Sequence, residues 1–268
     1  MANADTVFSG AIAQHYERHF GPPLFGPYAE DIVRRLSGFS SGTLLEVAAG
    51  TGIVTATMAR TLPASVAITA TDLNQPMLDF AAAKPGLERV AWQHADAMNL
   101  PFADAMFDVV VCQFGVMFFP DRPRAHAEAR RVLKANGRYI FNVWDSLRHN
   151  PVAGIVQSAV ADLYPAAPPG FIGRTPFGYH DPDVIRADLR AAGFDTCTTE
   201  TATTRWDASS FRDPAIAFCQ GSPLRAEIEA ADADGPARAT DAAAAAIAAH
   251  FGDGSPSFPM RALVVEAT

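Results

Sequence analysis

Between residues 43 and 144 the chain repeats one pattern: a short apolar run of strand length, a turn, then about ten residues of helical period. Residues 43–47, 66–71, 90–94, 107–113 and 138–144 read as strands, and 53–62, 75–84 and 122–134 as helices. Pro63 closes one helix and Pro76 sits in the first turn of the next. The run Phe107-Asp108-Val109-Val110-Val111-Cys112-Gln113 is almost continuously apolar, as expected of a strand buried on both faces of a parallel sheet. Strands alternating with helices predict an α/β fold built on a doubly wound, mostly parallel sheet. Two later runs, 196–206 and 261–267, bring the expected count to seven strands. The remainder reads as a helical cap. Residues 1–40 are helical with breaks at Gly21-Pro22-Pro23 and Gly26-Pro27, and helices are expected over 151–163, 181–192 and much of 207–250. Three parts follow: 1–40 as an N-terminal cap, 41–146 as the α/β core, and 147–268 as lid helices with the last strands. Asn136-Gly137 is expected to form a turn, the alanine tract 242–249 a surface helix, and His126 to face solvent from a charged helix.

Composition removes several function classes. Hydrophobic residues are 49% of the 268, enough for a core and too many for a disordered chain. With 21 basic against 29 acidic residues, the net charge of −8 argues against nucleic acid as a partner, since phosphate binding needs clustered Lys and Arg. Cys112, Cys197 and Cys219 form no CxxC pair, so neither a zinc cage nor a disulfide scaffold is expected, and a cytoplasmic location fits. The start of the chain lacks a basic segment followed by an apolar one, and the longest apolar stretch, 109–120, is interrupted by Gln113 and too short to span a bilayer. A monomer or homodimer acting on a small molecule, without a membrane span, is the expectation.

The most informative stretch is Glu46-Val47-Ala48-Ala49-Gly50-Thr51-Gly52, where the first strand gives way to a helix. Glycine there lets the backbone turn sharply and approach a ligand, and open parallel sheets bind ligands beyond the carboxyl ends of their strands. Asp72 ends the second strand, where a carboxylate can accept both hydroxyls of a ribose. Asp96 follows the third strand, where it can accept an adenine amino group while the neighbouring backbone meets a ring nitrogen. A dinucleotide fingerprint needs a third glycine at position 55, which is Thr55, and no P-loop is present. Glu46 would repel a pyrophosphate but suits an ammonium and a sulfonium. The cofactor expected is therefore S-adenosylmethionine, leaving S-adenosylhomocysteine. A nicotinamide-dependent oxidoreductase, or a descendant of the fold that binds the cofactor without methylating, is the alternative.

As a set, these motifs resemble the class I S-adenosylmethionine-dependent methyltransferases of the small-molecule type that includes the ubiquinone and menaquinone C-methyltransferases. LLEVAAGTG is similar to the family's glycine-rich motif, TATDLNQPML to its ribose motif, HADAMNLPFADAMFDVVVCQFG to its adenine motif and fourth strand, and RRVLKANGRYIF to its fifth-strand signature. The resemblance implies a Rossmann-like methyltransferase fold. Residue by residue, it implies that Glu46, Ala48, Gly50 and Gly52 wrap the methionine part. Asp72 would hold the ribose, Leu73 and Met77 would pack on the nucleoside, and Asp96 and Ala97 would hold the adenine. Gln113 would lie near the transferred methyl, and Tyr16 would close over the cofactor. The family often has glycine at the position of Ala48; an alanine there is expected to keep φ negative.

Methyl transfer from a sulfonium rests on in-line positioning, and a base helps only when the acceptor carries an inconvenient proton. His149, after the fifth strand, and His180, in an aromatic loop, are the candidates for that base. No histidine or carboxylate cluster has metal-ligand spacing, so no metal is expected. The cap is rich in Phe, Leu, Ile and Pro and poor in Lys, which points to an apolar or aromatic acceptor, or equally to a cap with its own aromatic core.

Overall fold

Five apolar runs become the parallel strands β1 (Gly42–Val47), β2 (Val66–Asp72), β3 (Ala91–His94), β4 (Phe107–Gln113) and β5 (Leu133–Trp144) of the computed structural model, which describes residues 16–252 and 254–268. With β6 (Cys197–Asp207) and β7 (Ser257–Ala267) the sheet has seven strands in the order β3-β2-β1-β4-β5-β7-β6. β7 runs antiparallel to β5, from Tyr139↔Ala267 to Trp144↔Ala262. The order reverses between β1 and β4, the place where open α/β sheets bind ligands.

The chain divides into two units. One holds residues 28–144, 179–202 and 262–268. Alternate residues of its strands, including Leu44, Ile68, Val109, Val111 and Ile140, are buried with Ile32 and Leu36 at α1 (Gly26–Arg35) and Val54 and Met58 of α2 (Ile53–Thr61). The first four helices continue with α3 (Gln75–Ala82) and α4 (Arg122–Val132). α4 ends two residues before the sequence reading expected, and Asn136-Gly137 lies inside β5 rather than in a turn. The turn chemistry appears instead as an irregularity. Phe107 pairs with Leu133 but Val109 with Arg138, so the surplus residues of β5 bulge out of register.

His126 corrects a second expectation. It is fully buried, with its ring 5.7 Å from that of Tyr139 and 5.3 Å from that of Phe141. The charged residues of α4 lie elsewhere on its circumference, and the one imidazole faces the sheet.

The other unit holds the described residues of 1–27 together with 145–178 and 203–261. It contains a π-type helical segment, Tyr16–Phe25, and the helices α5 (Pro151–Leu163), α6 (Phe171–Arg174), α8 (Arg212–Gln220), α9 (Leu224–Ala231) and α10 (Gly235–Phe251), while α7 (Pro182–Ala191) belongs to the first unit. The alanine tract lies in a helix with one face at the surface, where Ala245 and Ala249 are exposed, and one face buried. α10 packs against α5 and α8 and buries Ala239, Ala243 and Ile247, small side chains that let helices approach closely. Phe20, Trp206, Phe218 and Phe258 pack ring against ring and are buried, so these aromatics form the core of the unit. No described helix is long and apolar enough to cross a membrane.

Candidate functional site

β1 ends at Val47 and five residues reverse the chain into α2. Ala48, Gly50 and Gly52 all adopt left-handed backbone, with φ of 57°, 55° and 78°. The expectation of negative φ at Ala48 is thus overturned. An L-residue in this region costs on the order of 1 kcal/mol. The methyl is tolerated because residue 115 is glycine: a Cβ there would lie only 2.6 Å from Ala48 Cβ. Around Gly50 the space that a side chain would fill is open, with nothing within 4 Å. The backbone of the turn is therefore accessible to a ligand. Beside it the Thr51 side-chain oxygen is buried without a hydrogen-bond partner, a cost unless something else satisfies it.

Two carboxylates brace this turn. Glu46 is fully buried, and the Thr55 hydroxyl of α2 donates to its Oε2 at 2.5 Å. Position 55, read from sequence only as a missing glycine, is a threonine because it serves this carboxylate. Burial pushes the Glu46 pKa up to about 8 against the lowering effect of that bond, and the charge of Asp72 raises it further. Asp72 accepts from the Gly50 N–H at 2.8 Å through Oδ2 and from the Asn74 N–H at 2.8 Å through Oδ1. Burial raises its pKa, while the bonds from Asn74 and Gly50 and the nearby His94 oppose the rise.

Backbone bonds lock the strand tips together. The Ala49 N–H donates to Thr71 O at 2.9 Å and the Ala95 N–H to Asp72 O at 3.0 Å. Asp96 then bends the chain, its Oδ1 accepting from the Met98 N–H at 2.8 Å. Ala97 is buried beside it. Leu73, between Asp72 and Asn74, is an exposed large apolar side chain at 45%. Met77 in α3 is buried and belongs to the core. Gln113 ends β4, half-buried, and pairs with Asn142 of β5. Glu46, Ala48, Gly50, Gly52, Asp72, Leu73, Asp96, Ala97 and Gln113 thus gather at the carboxyl ends of four adjacent strands. Tyr16 stands at the start of the π-type segment; its side chain lies outside the described residues.

Phe114, the next residue after Gln113, was not singled out by the sequence. It has φ of 50°, which is rare for a bulky side chain. Its N–H donates to Asn142 Oδ1 at 2.9 Å, and its ring stacks on Trp144 at 3.9 Å with Tyr28 edge-on to both. Strain of this kind collects at functional sites.

A methyltransferase-domain family matches residues 45–141, the stretch that carries all four strand tips. A demethylmenaquinone methyltransferase of Deinococcus radiodurans is 30% identical over 169 residues, covering 57% of this chain and 68% of the relative. The chain belongs to the S-adenosylmethionine-dependent methyltransferases. A ubiquinone/menaquinone biosynthesis C-methyltransferase, UbiE, of Geotalea uraniireducens is 35% identical over 113 residues, 41% of this chain and 48% of that protein. The chain thus spans about half the length of the first curated relatives it matches. The fold is shared with phosphoethanolamine N-methyltransferase 2 of Haemonchus contortus, solved with S-adenosyl-L-methionine: TM-score 0.60, 15% identity, 96% of this chain and 56% of that one.

The two histidines expected to serve as a base in such an enzyme lie in different units. His149 Nδ1 is 3.2 Å from Asp145 Oδ2 and 3.2 Å from Ser146 Oγ. His180 lies in the other unit, half-buried, next to Tyr179. The Tyr179 hydroxyl donates to Asp188 at 2.7 Å and its ring underlies Arg122 at 4.6 Å. The sequence reading missed Asn150, whose signal was an Asn immediately before a helix-starting proline. It also missed Arg261, which nothing local could reveal.

Proposed function

We propose that this chain transfers the methyl group of S-adenosylmethionine to a small apolar or aromatic acceptor, with a quinol-like ring as the leading class. The observation that carries the reading is the joint state of the glycine turn: open space at Gly50, a buried and unsatisfied Thr51 hydroxyl, and an exposed Leu73, all beside Asp72. An adenosyl group with a methionine tail answers each of these. Gly50 and Gly52 would pass close to the tail, and Glu46, without a recorded cationic partner among the described residues, would face its positive charges. Asp72 keeps acceptor capacity for the ribose hydroxyls beyond its bonds to Gly50 and Asn74. Leu73 would cover the nucleoside, with Met77 supporting from the core, Asp96 and Ala97 would meet the adenine, and Gln113 would border the methyl.

When bound, the cofactor supplies an electrophilic methyl. The chain's own residues bind and orient it, and exclude water from it. All the proposed contacts come from one chain, so a monomer suffices. The names of the curated relatives favour a quinol acceptor; the aromatic core of the second unit removes Phe20, Trp206, Phe218 and Phe258 from the argument for one. The test is thermal shift with S-adenosylhomocysteine and NAD, followed by methyl transfer to 1,4-dihydroxynaphthalene. Stabilisation by the first ligand alone is expected; stabilisation by NAD alone would defeat the reading.

A further inference from the structure

β4 leaves the sheet through a strained residue. Phe114, one position past the strand, holds φ at 50°, a region disfavoured for any side chain with a Cβ. Two sets of contacts keep it there. Its N–H donates to two oxygens of one residue of β5, Asn142 Oδ1 at 2.9 Å and Asn142 O at 3.1 Å. Its ring stacks on Trp144 at 3.9 Å, and the Tyr28 ring stands edge-on at 5.1 Å. The left-handed residue steers the chain so that Gly115 lies against Ala48 of the glycine turn; a Cβ on Gly115 would come within 2.6 Å of Ala48 Cβ. All these residues belong to the unit that carries the glycine turn.

Asn142 is fully buried, and its Nδ2 has no hydrogen-bond partner. A buried amide donor left idle is a cost. A leucine of similar shape would fill the same space without it. What the amide adds over a leucine is Oδ1, and Oδ1 is engaged by the Phe114 N–H. Asn142 has no surface to offer a ligand, so its effect on the site passes through Phe114. In register it stands opposite Gln113, the last pair of the β4–β5 ladder. The pin therefore falls at the point where the chain turns from the sheet toward Ala48.

We propose that Asn142 is a positioning residue for the cofactor. By pinning Phe114 in the left-handed region it holds Gly115 against Ala48, and so fixes the backbone of residues 48–52 that takes the methionine part; this rests on the methyltransferase reading above. Ala48 is itself left-handed, at φ of 57°, so two disfavoured residues face each other across the adjacent strands β1 and β4. Without the side-chain acceptor, Phe114 relaxes to negative φ and Gly115 withdraws. The glycine turn then loses the wall against which Ala48 is set. Cofactor affinity is thus governed in part by a residue that never touches the cofactor.

A double-mutant cycle on the full chain, read by calorimetry with S-adenosylhomocysteine, tests this. Asn142→Leu should weaken binding about tenfold, a coupling ordinary for residues in contact. Glycine adopts positive φ without strain, so in a Phe114→Gly background the same substitution should change affinity by less than about twofold. Should Phe114→Gly not fold without its ring, Phe114→Asn replaces it, since asparagine also tolerates the left-handed region. Equal losses in both backgrounds, or no loss in either, overturn the proposal. So does a lowered urea midpoint with unchanged affinity of the folded chain, the mark of a merely structural residue. A crystal structure of Asn142→Leu gives a second readout: Phe114 at negative φ with Gly115 drawn away from Ala48 is expected, and Phe114 still at positive φ overturns the proposal. Absence of binding by the wild type would instead count against the methyltransferase reading, and the crystal structure would still decide the role of Asn142.

Discussion

His126 makes the stability of this protein depend on pH in a way that its structure sizes. The ring is fully buried against Tyr139, Phe141 and Tyr179, and burial, assisted by the nearby Arg122 charge, lowers its pKa from the ordinary 6.5 to about 4. The folded chain then binds fewer protons there than the unfolded chain does. Its contribution is fully present above the unfolded pKa and drains as pH falls from 6.5 toward 4. At 1.36 kcal/mol per pH unit the loss is about 3 kcal/mol. Glu46 works in the opposite direction: its raised pKa makes the folded chain the better proton binder between about 4.5 and 8, so its contribution grows on acidification. The two windows overlap, and the wild-type profile alone cannot separate them. His126→Phe can, because phenylalanine fills the aromatic surroundings and has no proton to gain. Urea unfolding followed by tryptophan fluorescence at pH 7, 6, 5 and 4 should show the wild type losing about 3 kcal/mol relative to the variant. Parallel profiles would mean that His126 is hydrated or charged in the folded state, and the burial argument would fail.

Three further outcomes follow from the site. Cofactor binding near pH 7 should release a proton from Glu46, since a cationic ligand favours the carboxylate; calorimetry in buffers of different ionisation enthalpy measures it, and Glu46→Gln should abolish it. Ala48→Gly should stabilise by up to about 1 kcal/mol by removing a left-handed alanine, whereas Gly115→Ala should destabilise, since its methyl would meet Ala48 Cβ and Cys112 Sγ at 2.6 and 2.7 Å. The double variant should recover part of that loss, as a thermal-melt cycle would show. Asn150→Ala should cost about 2–3 kcal/mol by leaving the Asp145 carbonyl and the Arg261 N–H without their recorded partner, while Ser146 O and Arg261 O keep backbone donors, read as a fall in the urea midpoint.

The sheet was legible because its signal is local. Apolar runs such as Phe107–Gln113 and their spacing from helices survive any detail of packing, and the strand tips bearing Asp72 and Asp96 fell where the pattern put them. What escaped was set by distant partners. The backbone at Ala48 was misjudged because the space for its methyl is left by Gly115, far along the chain. His126 was misplaced because a helix full of arginines says nothing about which single residue faces the sheet. Asn136-Gly137 carried honest turn chemistry, but the strand absorbed it as a bulge. The bond from the Arg261 N–H to Asn150 Oδ1 joins residues 111 apart, and no periodicity connects them.

The central claim is that four adjacent strand tips form one adenosyl site, with Asp72 on the ribose. A crystal structure with S-adenosylhomocysteine bound tests it most directly. The account predicts both ribose hydroxyls on the Asp72 carboxylate, the methionine tail along Gly50–Gly52 and the adenine beside Asp96 and Ala97. A ligand seated at another edge of the sheet, or a ribose held by other residues, would contradict it.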